Sequence, residues 1–238
     1  MAGTAALRLD GVSLAFGGRP ALDGLSLTLA AGEVYALLGP NGAGKTTTIN
    51  LILGFLAPDA GSIAVGGVDA VADPLAVRAR TAYLPETVML HPTLTATENL
   101  RYFALLAGRK VDAAQAGSLL DSAGLQREAH GRRAGGFSKG MRQKVGVAIA
   151  LAKEAQLLLL DEPTSGLDAS AANDLSATIR AASVRGIAVV MATHDLFRVH
   201  DVASRLGILR AGRLVDERET SSLTPPALER LYLDALAE

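Results

Sequence analysis

The chain has 238 residues, with 23 Lys+Arg against 24 Asp+Glu, 49% hydrophobic residues and no cysteine. This composition can bury a sizeable core and lacks the low hydrophobicity and high net charge of a disordered polymer. A net charge of −1 gives no global field for holding a polyanion, which argues against a nucleic-acid partner, and the lack of cysteine excludes disulfides, thiolate metal sites and a cysteine nucleophile.

From the N-terminus, the apolar stretch within Met1 to Leu9 is short and broken by Arg8, so no secretory leader is expected and a cytosolic chain is. No apolar run approaches the ~20 residues of a membrane helix. Leu7 to Phe16 and Leu22 to Leu29 alternate as strands and read as a hairpin about Gly17-Gly18-Arg19-Pro20. Val34 to Leu38 is a buried strand that runs into a glycine-rich turn. A helix over Lys45 to Leu56 is closed by Ala57-Pro58-Asp59-Ala60-Gly61, and Ser62 to Val65 resumes as a strand. After Tyr83-Leu84-Pro85-Glu86 the character turns helical. Thr95-x-x-Glu98 is a capping box for a helix over Asn99 to Ala107, and Asp112 to Ala123 and Ser138 to Lys153 follow. Strands return at Leu157 to Leu160 and Ile187 to Ala192, with a helix over Ala169 to Ser183 between them and a strand pair over Leu206 to Val215. Strand-helix-strand alternation predicts a parallel sheet.

Gly39-Pro40-Asn41-Gly42-Ala43-Gly44-Lys45-Thr46 spells G-x-x-x-x-G-K-[ST] between a strand and a helix, the context of a phosphate loop. Its glycines let successive N–H groups face a phosphate, the helix start adds partial positive charge, Lys45 reaches the β and γ phosphates and Thr46 offers a hydroxyl to Mg²⁺. Thr47 is counted with this ATP-binding loop. Farther on, Leu157 to Leu160 lead into Asp161-Glu162-Pro163. Two carboxylates at the tip of an apolar strand need a cation nearby. Adjacent strand residues point to opposite sides, which divides their work: Asp161 toward Mg²⁺ and Glu162 toward the attacking water.

Asp161-Glu162-Pro163-Thr164-Ser165-Gly166-Leu167-Asp168, the phosphate loop and Phe137-Ser138-Lys139-Gly140-Met141 together resemble the ATP-binding subunit of an ATP-binding-cassette (ABC) transporter, in the family's motif order and over nearly the whole chain. The resemblance implies an α/β fold, with a P-loop NTPase parallel-sheet core, an N-terminal antiparallel β subdomain and an inserted α-helical subdomain. It places the core and β subdomain at 1–86 and 155–220, the helical signature subdomain at 87–154 and a C-terminal helix at 221–238. It implies that Ser138 and Gly140 bind the γ-phosphate of ATP held by a second copy or a paired cassette, and that Phe16 stacks on adenine. His194 would act with Glu162 in catalysis, and Glu86 would join Thr46 and Asp161 at the metal. Asp168 resembles the aspartate of the loop that joins the two subunits, and bland readings stand beside these: a core phenylalanine for Phe16, a structural histidine for His194, and a helix cap for Asp168, a role that can coexist with the first.

Two residues depart from the family's usual spelling. Glu86 stands where a glutamine is common, and Lys139 where a glycine is. Glu86 keeps an oxygen for metal but loses the amide donor. Lys139 either reaches the partner's nucleotide or lies solvated. These spellings are similar to type 2 bacterial exporter ATPases, which implies ATP hydrolysis energising export through a separate membrane-spanning permease, on the cytoplasmic face of the inner or plasma membrane. The alternative is an ABC-type ATPase without a transport role. Val88, Met89 and Leu90 either line the coupling groove or pack internally, and the tail after Pro225-Pro226 is expected to pack on the sheet lobe.

Overall fold

In the computed structural model, which describes residues 5–237, alternating strands sort their side chains into two cores. The first sheet is antiparallel, in the order β2-β1-β4-β5, and is formed by β1 (Leu7–Phe16), β2 (Arg19–Leu29), β4 (Ala60–Val65) and β5 (Val68–Asp69). The β1–β2 turn is narrower than the expected tetrapeptide. Gly17 and Gly18 both have positive φ, 56° and 79°, so two residues close the hairpin. Arg19 and Pro20 belong to β2, an edge strand where a proline costs no ladder bond.

The second sheet runs β10-β9-β3-β8-β7-β6. Its strands are β3 (Val34–Leu38), β6 (Thr81–Leu84), β7 (Leu157–Asp161), β8 (Ala188–Thr193), β9 (Arg205–Arg210) and β10 (Arg213–Glu219). All neighbours are parallel except the β9–β10 hairpin. Strands β3 and β8 are buried along their whole length, as expected for a sheet covered on both faces. Tyr35, Leu37, Leu157, Leu159, Val190 and Ala192 face one core, shared with the antiparallel sheet and α1 (Lys45–Ile52). Ala36, Leu38, Leu158, Leu160, Val189 and Met191 face the other, shared with the helices.

Helices α3 (Ala96–Leu106), α4 (Ala113–Ser122) and α5 (Arg127–His130) pack with α6 (Lys139–Lys153) into a lobe, and α6 also touches α7 (Ala169–Val184) and β6. Helix α3 opens on the expected capping box, with Glu98 N to Thr95 Oγ1 at 3.2 Å and Thr95 N to Glu98 Oε2 at 2.8 Å. Helix α1 ends at Ile52 and not at Leu56, because the Phe55 and Leu56 amides turn back to the Asn50 carbonyl around Gly54 at φ 65°. Three short helices, α5 and two others, escaped the sequence reading. In α2 (Pro74–Arg80) Asp73 accepts from Ala76 N at 2.9 Å, and α8 (Leu196–Val202) has Asp195 as its N-cap. The final helix, α9 (Pro225–Ala237), lies on α8 and β9 with Leu228 buried and Arg210 Nη1 donating to Ala235 O at 2.8 Å. The tail packs on the sheet lobe, as expected.

Candidate functional site

Strand register gathers the chemistry at one edge of the large sheet. Leu38 pairs with Thr193, Asp161 with Ala192, and Leu84 with Leu160. The Gly39 loop, the Asp161-Glu162 pair, His194 and the Pro85-Glu86 segment therefore all leave from the carboxyl ends of neighbouring parallel strands. In open α/β sheets that edge is where ligands bind.

The loop after β3 is shaped by close approaches. A Cβ on Gly39 would run into the Leu209 carbonyl, and Gly44, at φ 112°, would place one 2.7 Å from Ala21 O. Gly39→Ala is accordingly expected to cost about 1 to 3 kcal/mol, measured as a lowered denaturation midpoint; an unchanged midpoint would contradict this packing. Helix α1 starts after Gly44 with no side-chain cap, so the first-turn N–H groups that helix geometry leaves unpaired face the loop's concavity.

Lys45 is buried, and its Nζ donates to Gly39 O and to Pro40 O, the latter at 3.3 Å, and stands 3.5 Å from Glu162 Oε1. Thr46 Oγ1 donates to Asp161 Oδ2 at 3.2 Å. Burial pushes the Asp161 carboxyl up; the Thr46 hydroxyl draws it down, and the Glu162 charge raises it further, with a net rise. A hydroxyl and a carboxylate oxygen side by side are hard oxygen donors, so Thr46 and Asp161 fit Mg²⁺.

Glu162 occupies left-handed backbone, φ 45°, which costs a non-glycine residue about 1 to 3 kcal/mol and is retained where neighbours fix it. Its amide donates to Ala192 O at 2.8 Å. Thr193 Oγ1 donates to Oε2 at 3.1 Å, and His194 Nδ1 bonds to Oε1 at 3.0 Å. With the proton on Nδ1, His194 donates to the carboxylate and leaves Nε2 free to accept. Thr193, absent from the sequence-derived site, holds half of this carboxylate; its place between an apolar strand and His194 was the available signal.

Lys45, Thr46, Asp161, Glu162 and His194 thus form one group. Glu86 makes no hydrogen bond to Thr46 or Asp161 among the described residues, although its charge is one of those raising the Asp161 carboxyl; its Oε1 accepts from Ser165 Oγ at 2.9 Å and lies 3.7 Å from Lys139 Nζ. Among the described residues, no three or more His, Asp or Glu side chains are grouped as a metal site. Within its own chain Lys139 pairs with Glu86 and is not solvated alone. Ser138 caps α6, accepting from Met141 N at 3.3 Å, and Asp168 caps α7, accepting from Ala171 N at 2.8 Å. Gly140 packs against α7, where a Cβ would stand 3.2 Å from that of Ala171. Among the described residues no hydrogen bond joins Ser138 or Gly140 to the Lys45–Glu162 group. Phe16, at the end of β1, is 51% exposed, which is not the burial of a core phenylalanine.

Known proteins are similar to this chain in sequence and in fold. A family model described as ABC transporter matches residues 22–165. Nod factor export ATP-binding protein I of Paraburkholderia xenovorans (strain LB400) is 36% identical over 223 residues, 92% of this chain and 72% of that protein. Linearmycin resistance ATP-binding protein LnrL of Bacillus subtilis (strain 168) is 33% identical, covering 88% of this chain and 68% of that one. The daunorubicin/doxorubicin resistance ATP-binding protein DrrA of Streptomyces peucetius is 36% identical, with 92% and 67% covered. A solved ATP-binding subunit of an ABC transporter superposes with a TM-score of 0.82 at 30% identity, covering 97% of this chain and 99% of its own. A dimeric ATP-binding cassette bound to ADP and phosphate shares the fold, with a TM-score of 0.78 at 24% identity over 90% and 98% of the two chains. The phosphate loop, the paired carboxylates and the two-sheet architecture agree with these likenesses, and the chain belongs to the ABC transporter family as an ATP-binding, ATP-hydrolysing subunit.

Proposed function

We propose that two copies of this chain, or this chain and a related cassette, enclose ATP between them, each site combining the phosphate loop of one copy with Ser138 and Gly140 of the other. The observation that carries this reading is the separation just described: Thr46 bonds Asp161, and Lys45 and His194 both reach Glu162, whereas among the described residues Ser138 and Gly140 make no hydrogen bond to any of these. Gly39 to Thr47 cradle the phosphates, and Lys45 neutralises the β and γ oxygens. Mg²⁺, held through Thr46 and Asp161 with the Glu86 carboxylate facing its surroundings, would supply charge neutralisation for the phosphates when bound. Glu162 orients a water against the γ-phosphorus and takes its proton as the new P–O bond forms and the bond to the β-phosphate oxygen breaks. His194 and Thr193 hold Glu162 in place for that transfer. Loss of the γ-phosphate removes the contact that joins the copies, and the dimer opens. Residues 87–154 would move as the helical signature subdomain against the core.

Phe16 is proposed to stack on the adenine. Base stacking on an aromatic is worth about 1 to 3 kcal/mol, so Phe16→Ala is expected to raise the KM for ATP about tenfold while Phe16→Tyr does not. Equal effects of the two substitutions would remove the stacking role.

Motion is proposed to reach a membrane-spanning permease through an apolar groove of about 410 Å³ between β6 and the helical lobe, lined by residues that include Leu84, Val88, Met89, Leu106 and Ile149. Of the three apolar residues after the Pro85-Glu86 segment, Val88 is buried and Leu90 packs on the core, while Met89 is 76% exposed. Of the three, Met89 is the one most open to a partner, and exposed apolar surface in a groove is a docking signal. No helix among the described residues is long and apolar enough to cross a membrane, so attachment to the cytoplasmic face would be through that partner. Export follows from likeness to relatives named for export and drug resistance. Met89→Ser should lower co-sedimentation with membranes that hold the permease and leave ATP turnover of the isolated subunit unchanged; unaltered sedimentation would count against the groove and favour a cassette without a transport role.

A further inference from the structure

The two departures from the family's usual spelling touch each other. Lys139 Nζ lies 3.7 Å from Glu86 Oε1, and the same oxygen accepts from Ser165 Oγ at 2.9 Å. Four residues farther along α6, on the same helical face, Gln143 Nε2 donates to the Glu86 main-chain carbonyl at 3.4 Å. Helix α6 therefore grips residue 86 twice, once by its side chain and once by its backbone. The ammonium also sits over the loop after Glu162, 4.0 Å from where a Cβ on Gly166 would stand. The Lys139 side chain is 29% exposed and that of Glu86 57%, and a rim ion pair of this kind adds little stability. Its consequence is geometric: one oxygen of Glu86 is engaged, and Oε2 has no partner among the described hydrogen bonds and ion pairs.

We propose that Lys139, with Ser165, is a positioning residue for Glu86. The pair fixes Oε1 so that the carboxylate meets the metal's surroundings through Oε2, and it ties the start of α6, where Ser138 and Gly140 lie, to the nucleotide site of the same subunit. A glycine at 139 has no side chain to make this contact, and a glutamine at 86 has no charge to attract an ammonium. The two departures compensate each other in charge, so the site gains a carboxylate without gaining net negative charge. The inference rests on the proposed metal role of Glu86.

The test is binding of a fluorescent ATP analogue to the intact chain, dilute enough to remain monomeric, as Mg²⁺ is titrated. Lys139→Met is expected to raise the Mg²⁺ concentration for half-maximal binding about two- to fivefold, the range of a partly exposed ion pair. Lys139→Arg should restore it, and Lys139→Met should add nothing in a Glu86→Gln background. A shift of the same size in that background, no shift, or a lowered Mg²⁺ requirement would overturn the positioning role. If the unaltered protein binds the analogue without regard to Mg²⁺, the metal assignment itself falls, and this inference with it.

Discussion

Glu162→Gln should lower ATP turnover by about two to four orders of magnitude, the contribution of a positioned general base, and leave ATP binding intact. Glutamine preserves the length of the side chain and an oxygen that can accept from Thr193 Oγ1 or from His194 Nδ1, the two groups that now hold the carboxylate. What it loses is the ability to take a proton, together with the negative charge 3.5 Å from Lys45 Nζ. Nucleotide is therefore bound and not consumed, and the closed dimer should accumulate. Gel filtration with ATP is expected to show a dimer for Glu162→Gln and a monomer once ATP is withdrawn. Retained turnover would remove Glu162 from the chemistry. Lost turnover with no dimer would separate the base from the enclosure of ATP between copies.

Lys45→Met is expected to act earlier, on binding. Hydrogen bonds to charged groups contribute about 1.5 to 3 kcal/mol, so ATP affinity should fall between roughly tenfold and a hundredfold, and turnover further, because developing charge on the transferred phosphoryl group also loses its cation. Methionine keeps the apolar stem that is buried in the loop but not the bonds to Gly39 O, Pro40 O and Glu162, so the denaturation midpoint without nucleotide should fall, and affinity is read on protein shown to be folded. Equilibrium binding of a fluorescent ATP analogue measures the first effect and steady-state phosphate release the second. Affinity equal to that of the unaltered protein would show that Lys45 serves the loop's own carbonyls and not the nucleotide.

Most of the fold was legible because it rests on short-range patterns. The Gly39 to Thr46 spelling sat between a strand and a helix, and four leucines before Asp161 announced a strand buried on both faces, as the structure shows. The Thr95 and Glu98 capping box announced a helix, although it begins at Ala96, directly after the cap, and not at Asn99 as expected. What escaped was either brief or set by distant neighbours. Helix α2 is announced only by Asp73-Pro74, and α8 only by Asp195. The end of α1 depends on where Gly54 turns the chain back, with a Cβ there placed 2.7 Å from Pro74 Cβ. At the site, the roles of Lys45, Thr46 and Asp161 follow from motif chemistry, but the Thr193 clamp on Glu162 and the Glu86–Lys139 pair join residues 31 and 53 positions apart in the chain. No periodicity or spacing encodes such pairings; they appear only once β6, β7, β8 and α6 are laid side by side.

Mixing two disabled variants asks most directly whether each hydrolytic centre is built from two chains. Lys45→Met removes the phosphate loop's cation but keeps Ser138, and Ser138→Arg blocks the signature surface but keeps the loop, so each alone should be inactive. When they are mixed in equal amounts, about half of the dimers carry one intact centre, and phosphate release should rise well above the sum of the separate preparations. A mixture no more active than that sum, or a Ser138→Arg protein that works at full rate alone, would mean that one chain holds the whole centre.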